Sequence, residues 1–287
     1  MKNLVLILSA FLVMLTSCKK VISLDLNDNT PKIVIEAAVN ADSLTHYVTL
    51  TKSINFDLDV PPPVVTDATI TIKEENSNNE GKYLFDAQLG KYVLTNFLVK
   101  EGKTYYLTVV SEGQTYTASS TVPMRVKLDS LKVAKYPSYG GNYAYTVVPL
   151  RHDPAGISNY YQFLLKKNNK LLPGIYVEDD LGMDGQATLK PIFPNKDGFS
   201  PDTLIGGVNK WTIKEGNNLV FYDSILVDME MLCIENKVYR YFLTLALNQG
   251  KQQNATPSNP DALFTNGALG YFSAQTSQKR SIYITNK

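Results

Sequence analysis

The densest group of possible ligand atoms in the sequence is a short acidic segment at residues 178–185. It reads Glu178-Asp179-Asp180-Leu181-Gly182-Met183-Asp184-Gly185. Carboxylate oxygens and glycine turns are the parts from which calcium loops are built. The segment lacks the spacing of the helix-flanked calcium loop and its closing bidentate glutamate. We predict a solvated turn here, keep calcium binding as the alternative, and assign no metal ligand and no cofactor.

Side chains that could serve as a nucleophile or a general base are few. The sequence has two histidines, His46 and His152, and a nucleophilic thiol would have to be Cys233. Cys233 lies in the apolar run 231–234, which predicts a buried thiol, whereas a reactive thiol is exposed and ionised. Serine-hydrolase elbows, His-Glu-x-x-His helices and phosphate-binding glycine loops do not occur in the sequence. We therefore predict no catalytic residues and a protein that is not an enzyme.

Glycoside hydrolysis is the exception to this argument, because it needs only two carboxylates at a suitable separation. An envelope hydrolase that acts on glycan or peptide through carboxylates in the 178–202 region is therefore an alternative.

Aromatic side chains are a second candidate for ligand binding. The stretch 136–145 contains several tyrosines, and the sequence has one tryptophan; these residues are Tyr136, Tyr139, Tyr143, Tyr145 and Trp211. Exposed aromatics stack on sugars or pack against partners, but tyrosines also suit half-buried strand faces. We favour the structural role, and ligand-binding residues stay unassigned.

The first 18 residues have the features of a lipoprotein signal. Lys2 supplies one positive charge, and Leu4–Leu15 is an uncharged, largely apolar run of 12 residues. A bilayer-spanning helix needs about 20 apolar residues, so the run predicts a cleaved signal peptide, residues 1–17. Leu15-Thr16-Ser17-Cys18 is similar to a bacterial lipobox, whose cysteine carries acyl chains such as palmitate. We predict lipidation of Cys18; the alternative is an ordinary signal peptide with a chance cysteine.

The residues after Cys18 predict a short connection between the anchor and the folded protein. Ile22, Leu24 and Leu26 alternate with polar residues, as in a half-buried strand. Residues 18–30 are therefore predicted to be a lipidated N-terminus with a short tether and strand. About four tether residues reach roughly 14 Å, so the acyl chains should hold the body close to the membrane.

The charge balance argues against nucleic acid as a partner. The chain has 28 lysines and arginines against 27 aspartates and glutamates, and Lys2 is the one charged residue of the predicted signal peptide. The remaining chain is thus formally neutral, whereas polyanion binding requires a clustered basic excess.

Residues 31–123 predict an immunoglobulin-like β-sandwich. Apolar and polar residues alternate over short stretches that Glu-Gly and Leu-Gly turns separate. The proline run Val60–Val64 predicts an extended connector or edge segment. Strands are expected at Lys32–Val39, His46–Lys52, Ala68–Glu74, Lys82–Asp86, Lys91–Thr95, Lys103–Ser111 and Thr115–Val122.

Residues 124–287 predict a second β-rich, sandwich-like domain with one packed helix, and the fold class is all-β. Strands are expected at Val126–Tyr136, Tyr143–Arg151, Asn159–Lys167, Gln186–Phe193 and Leu219–Met229. Residues 234–248 instead predict an amphipathic helix, because apolar residues recur at three and four: Ile234, Val238, Tyr241, Phe242 and Leu245. We expect this stripe to cover the open side of the second sheet; binding of a partner helix is the alternative.

Several stretches together resemble the lipoprotein family DUF4249. They are Cys18–Leu26, Lys32–Glu36, Tyr239–Tyr241, Ser258–Pro260 and the tail Thr265–Ala274. The resemblance implies an outer-membrane lipoprotein whose gene lies beside that of a TonB-dependent receptor, and hence a part in nutrient uptake. The family supplies no catalytic residues.

These expectations combine into one interpretation. We expect a lipid-anchored outer-membrane protein that acts as a binding or accessory subunit, with a TonB-dependent receptor as its partner. Lys19 and Lys20 replace the acidic residues that often follow the cysteine in surface-exposed relatives, so the periplasmic and cell-surface locations both stay open. A structural or adhesive envelope protein is a further alternative.

Overall fold

The computed structural model describes residues 30–55, 58–137, 143–194, 198–199, 203–205, 208–215, 218–249 and 258–285. Of two compact units, the larger, Lys32–Ser53 with Pro61–Lys287, contains every element named below. The smaller unit is described at residues 30–31, 54–55 and 58–60, where the Leu58 amide donates to the Asn55 carbonyl. Cys18, the predicted signal peptide and the predicted strand at residues 22–26 lie outside the described residues.

The strands of the first half lie close to their predicted positions, because the alternation of apolar and polar residues is a clear strand signal in the sequence. In the third strand, Ile70 and Ile72 are buried while Thr69 and Thr71 are exposed. The proline run lies along the edge of the second strand, where the Lys52 amide donates to the Pro63 carbonyl. The strands are β1 (Ile33–Asn40), β2 (His46–Lys52), β3 (Thr69–Glu74), β4 (Glu80–Asp86), β5 (Lys91–Leu94), β6 (Thr104–Ser111) and β7 (Gln114–Thr121).

The second half contributes further strands and the predicted helix. The helix, α1, spans Asn236–Gln249. The strands are β8 (Leu128–Pro137), β9 (Tyr143–His152), β10 (Tyr160–Lys167), β11 (Lys170–Leu171), β12 (Tyr176–Asp179), β13 (Ala187–Thr188), β14 (Thr203–Ile205), β15 (Val208–Glu215), β16 (Asn218–Tyr222), β17 (Ser224–Ile234) and β18 (Leu269–Thr285).

Two of the predicted strands are wrong in extent. The stretch predicted as Leu219–Met229 is broken at Asp223, because β16 pairs with β15 whereas β17 pairs with β10 and β18. Alternation does not reveal such a change of sheet. The stretch Gln186–Phe193 contains only β13 and one bridge at Ile192. Pro191 between them has no amide hydrogen to donate to a ladder.

A sheet of 12 strands carries most of the described chain. Its order is β11-β10-β17-β18-β1-β2-β5-β4-β3-β6-β7, and β12 also pairs with β10. Strand β18 runs parallel to β1 through Leu269–Gln275 and antiparallel to β17 through Thr276–Thr285. It therefore joins strands from both halves by main-chain hydrogen bonds. The predicted domain boundary at residues 123 and 124 stays a prediction.

The buried side chains of the described residues form separate hydrophobic cores. The first core gathers buried side chains from β1, β2, β3, β6 and β18, among them Ile35, Leu50, Ile72, Leu107 and Phe272. The second core lies between the β13-β9-β8 sheet and one face of β10 and β17. The prediction of an all-β, sandwich-like fold is confirmed.

Helix α1 packs where the sequence places it. Its buried residues Val238 and Phe242 contact the other face of β17, at Leu232 and Ile234, and the Phe242 ring lies 4.8 Å from the ring of Tyr271 on β18. The predicted packing of one helix on the sheet is thus confirmed. In the part of the chain that the structure describes, no helix is long and apolar enough to cross a bilayer.

Candidate functional site

Three aspartates from two loops come together beside the start of β10 and the end of β12. Asp153 directly follows β9, Asp180 directly follows β12, and Asp184 lies in the turn after it. One carboxylate oxygen of each lies within 4.8 Å of the others. We call Asp153, Asp180 and Asp184 the acidic cluster.

Main-chain hydrogen bonds bring the two loops together. The antiparallel pairing of β10 with β12 places Tyr160 opposite Asp179. Just beyond it, the Asp180 amide donates to the Asn159 carbonyl at 3.2 Å, and the Asp153 amide donates to the Gln186 carbonyl at 3.1 Å. The cluster is therefore supported by the sheet and not by loop conformation alone.

A glycine allows the loops to approach closely. Gly185 has a φ of +72°, and a Cβ at this position would meet the Cβ of Ala155 at 3.0 Å. Residues with a Cβ rarely adopt such a φ. The turn that carries Asp184 therefore depends on glycine, both for its backbone conformation and for its close approach to Ala155.

Each aspartate has one oxygen held by a donor from the chain. The Tyr161 hydroxyl donates to Oδ1 of Asp153. The Asn159 amide donates to Oδ2 of Asp180 at 2.8 Å, and the Gly156 amide donates to Oδ1 of Asp184 at 2.7 Å. These bonds restrict the orientation of the three carboxylates.

Asp153 is the buried member of the cluster, with 1% of its surface exposed. Burial raises the pKa of its carboxyl, and the charge of Asp180 adds to this effect, while Tyr161, Arg151 and the nearby Asn159 side chain oppose it. Its Oδ2 is buried without a hydrogen-bond partner among the described residues.

A buried ion pair lies next to the cluster. Nη2 of Arg151 on β9 is 2.8 Å from Oε2 of Glu178 on β12, and the guanidinium lies 4.2 Å from the centre of the Tyr161 ring. Nζ of Lys190 lies 3.9 Å from the other oxygen of Glu178. Arg151 and Lys190 are thus directed at Glu178.

Glu178 and Lys190 also line a cavity of about 230 Å³ between β12 and α1. Its other walls are mostly apolar and include Phe163, Ile192 and Leu243. The volume is small compared with typical ligand pockets of a few hundred Å³ or more.

The residues singled out from the acidic segment divide between three roles. Asp180 and Asp184 belong to the cluster, Glu178 forms the ion pair, and Asp179 accepts a hydrogen bond from the Tyr239 hydroxyl at 3.0 Å. Asp153 was not predicted from the sequence. Its signal was local: the turn sequence Asp153-Pro154-Ala155-Gly156 directly follows a long apolar strand.

The candidate nucleophile and one of the two candidate bases are buried. Cys233 is buried, as predicted; burial raises the pKa of its thiol, and the Val126 amide donates to its sulfur. His46 is 2% exposed in the first half, whereas His152 is exposed at the end of β9.

The aromatic candidates are mostly packing residues. Trp211 and Tyr145 are buried, with ring centres 5.9 Å apart, while Tyr143 is exposed under the ammonium of Lys135. Tyr139 lies outside the described residues.

The family model described as a domain of unknown function (DUF4249) matches residues 19–281. The chain belongs to the DUF4249 family. The resemblance seen in the sequence is thereby confirmed over nearly the whole chain after Cys18. No curated protein matches this DUF4249 sequence.

Proposed function

We propose that this DUF4249 protein is a lipid-anchored binding subunit of the outer membrane that acts beside a TonB-dependent receptor in nutrient capture. The segment that ends at Cys18 supports the anchor. The association expected of the family supports the receptor as the partner.

Exposed apolar side chains on the loops around the acidic cluster carry the proposal. Ile157, Leu181 and Leu189 are 56%, 86% and 58% exposed and belong to the loops that follow β9, β12 and β13. Apolar side chains that group on one surface are typical of a contact with another protein, whereas single exposed ones are common. We therefore propose these loops as the surface that contacts the receptor.

The polar residues of the same region support binding more than catalysis. Asp153 and Glu178 are 1% and 6% exposed. A general acid must come within hydrogen-bond distance of its substrate. The carboxylates of Asp153 and Glu178 are covered by the chain, so a substrate would have little access to them.

Affinity purification tests the proposal. A tagged full-length chain, extracted from its native membrane in mild detergent, should retain a TonB-dependent receptor. The double variant Ile157→Ser, Leu181→Ser should retain much less. Leu84→Ser is the matched control, because Leu84 is 69% exposed on β4 in the other half. Recovery of the chain without any receptor would contradict the proposal.

The anchor has its own test. Cys18→Ala should release the protein from the membrane fraction and abolish labelling by a palmitate analogue. A flexible insertion of about 20 residues after Lys20, which adds tens of ångströms of reach, should keep acylation and folding but weaken receptor recovery. Unchanged recovery of the receptor would show that the anchor only localises the protein to the membrane.

An envelope hydrolase is the second candidate, and one observation favours it. The carboxyl of Asp153, with its raised pKa, lies beside Asp180, as in the carboxylate pairs of glycosidases. Turnover of glycan or peptide substrates that is lost in Asp180→Asn would support this function. No turnover across such a screen would dismiss it.

A further inference from the structure

We propose that Asp153, Asp180 and Asp184 form a calcium-binding site. The three residues come from two loops that the sheet holds together, and one oxygen of each lies within 4.8 Å of the others. The site goes beyond the proposed receptor partnership and does not depend on it.

An unpartnered buried oxygen is the independent observation that points to a cation. Oδ2 of Asp153 is buried and has no hydrogen-bond partner within the described ranges, although Tyr161 donates to Oδ1 of the same carboxylate. A buried carboxylate oxygen without a donor is costly, because it loses its hydration without compensation. A bound cation supplies that compensation.

The surrounding charges leave the cluster without an ion-pair partner. Arg151 and Lys190 are directed at Glu178. Among the described residues, no lysine or arginine forms an ion pair with any of the three aspartates. Three ionised carboxylates with oxygens within 4.8 Å of one another repel, so the arrangement is one that a divalent cation would stabilise.

The ligand chemistry favours calcium over other common metals. All three side chains offer oxygen, which Ca²⁺ and Mg²⁺ prefer, whereas zinc sites usually include histidine or cysteine. Ca²⁺ accepts irregular sets of protein oxygens, whereas Mg²⁺ requires near-ideal octahedral geometry and keeps several of its waters. Three aspartates from two loops therefore suit calcium better than magnesium.

The hydrogen bonds described above prepare the site for its ion. Oδ1 of Asp153, Oδ2 of Asp180 and Oδ1 of Asp184 each accept a hydrogen bond from the chain. These bonds restrict the three carboxylates to positions in which one oxygen of each lies within 4.8 Å of the others. Water and nearby carbonyls would complete the 6–8 ligands that calcium takes.

Calorimetric titration of the mature chain tests the proposal. Protein stripped with chelator and dialysed should bind one equivalent of Ca²⁺, with a rise in thermal midpoint that excess chelator reverses. Mg²⁺ should bind at least ~10-fold more weakly. Absence of both binding heat and a thermal shift would overturn the proposal.

Two variants locate the ion. Asp184→Asn and Asp180→Asn should each weaken Ca²⁺ binding by about 10-fold or more, because each removes a charged ligand. Asp184 is exposed, so its variant should retain the native circular dichroism spectrum. Asp179→Asn is the matched control: it removes an adjacent carboxylate outside the cluster and should change affinity by less than about threefold. Binding that survives both cluster variants would place the ion elsewhere and overturn the proposal.

Discussion

Arg151 and Glu178 form a buried ion pair, with Nη2 2.8 Å from Oε2 and with 1% and 7% of the two side chains exposed. The pair links β9 to β12, and so connects the β13-β9-β8 sheet to the 12-stranded sheet. Nε and Nη1 of Arg151 have no hydrogen-bond partner among the described residues, so Glu178 is the principal compensation for the arginine charge.

Removing either partner of this pair should destabilise the protein strongly. Glu178→Gln or Arg151→Met leaves the other charge buried without its close partner, and should lower the free energy of unfolding by about 3–5 kcal/mol. The double variant should lose less than the sum of the two single losses, because it removes both charges of the pair together. Urea denaturation of the four proteins measures this coupling, and additive losses would show that the pair is not coupled.

Gly270→Ala should disrupt the parallel pairing of β1 with β18. Gly270 has a φ of +103°, and a Cβ there would meet the Ile35 carbonyl oxygen at 2.0 Å. Backbone must therefore move, and we expect a loss of about 3 kcal/mol or more in the free energy of unfolding.

Gly267 is the matched control for this substitution. It has a φ of +73°, but a Cβ there meets nothing within 4 Å. Gly267→Ala should cost only about 1 kcal/mol, the strain of the backbone conformation alone. Equal losses in the two variants, measured by urea denaturation, would contradict the clash at Gly270.

Local periodicity explains why most of the fold could be predicted. The alternation of Ile70 and Ile72 with polar residues identifies β3, and the spacing of four residues between Val238 and Phe242 identifies α1. The joining of β1 to β18 could not be predicted in this way, because nothing local links Ile35 to Gly270 across more than 200 residues.

The acidic cluster was predictable only in part for the same reason. Asp180 and Asp184 stand together in the sequence, whereas Asp153 reaches them through the pairing of β10 with β12. Glu178 was predicted from the sequence to lie in a solvated turn. Only the fold places it opposite Arg151.

Phe242→Ala should show how much α1 contributes to stability. The ring is 8% exposed and packs edge-on against Tyr271 at 4.8 Å. Its removal should cost about 3–5 kcal/mol, since a buried aromatic side chain leaves a cavity behind. Leu247→Ala on the same helix is the control; with 49% of Leu247 exposed, it should cost below about 1 kcal/mol. Similar unfolding midpoints for both variants would mean that α1 is not anchored through this face.

His46 should make the stability of the protein fall in mild acid. The Asn40 amide donates to Nδ1, so Nε2 carries the proton and donates to the Phe97 carbonyl at 2.9 Å. Burial lowers the pKa of this imidazole below its ordinary value of 6.5. The unfolded chain therefore takes up a proton at higher pH than the folded chain does. The buried neutral imidazole therefore makes its full contribution to the free energy of unfolding above pH 6.5. This contribution is lost as the pH falls from there toward the folded pKa, by up to about 1.4 kcal/mol per pH unit.

The variant His46→Gln isolates this effect, because its amide can still donate to Phe97 but takes up no proton. Its free energy of unfolding should fall less between pH 7 and pH 5 than that of the wild type. His152→Gln, at an exposed position, should retain the wild-type loss. Urea denaturation at the two pH values measures the difference. Parallel pH profiles for His46→Gln and the wild type would show that the buried imidazole takes up its proton without cost to the fold.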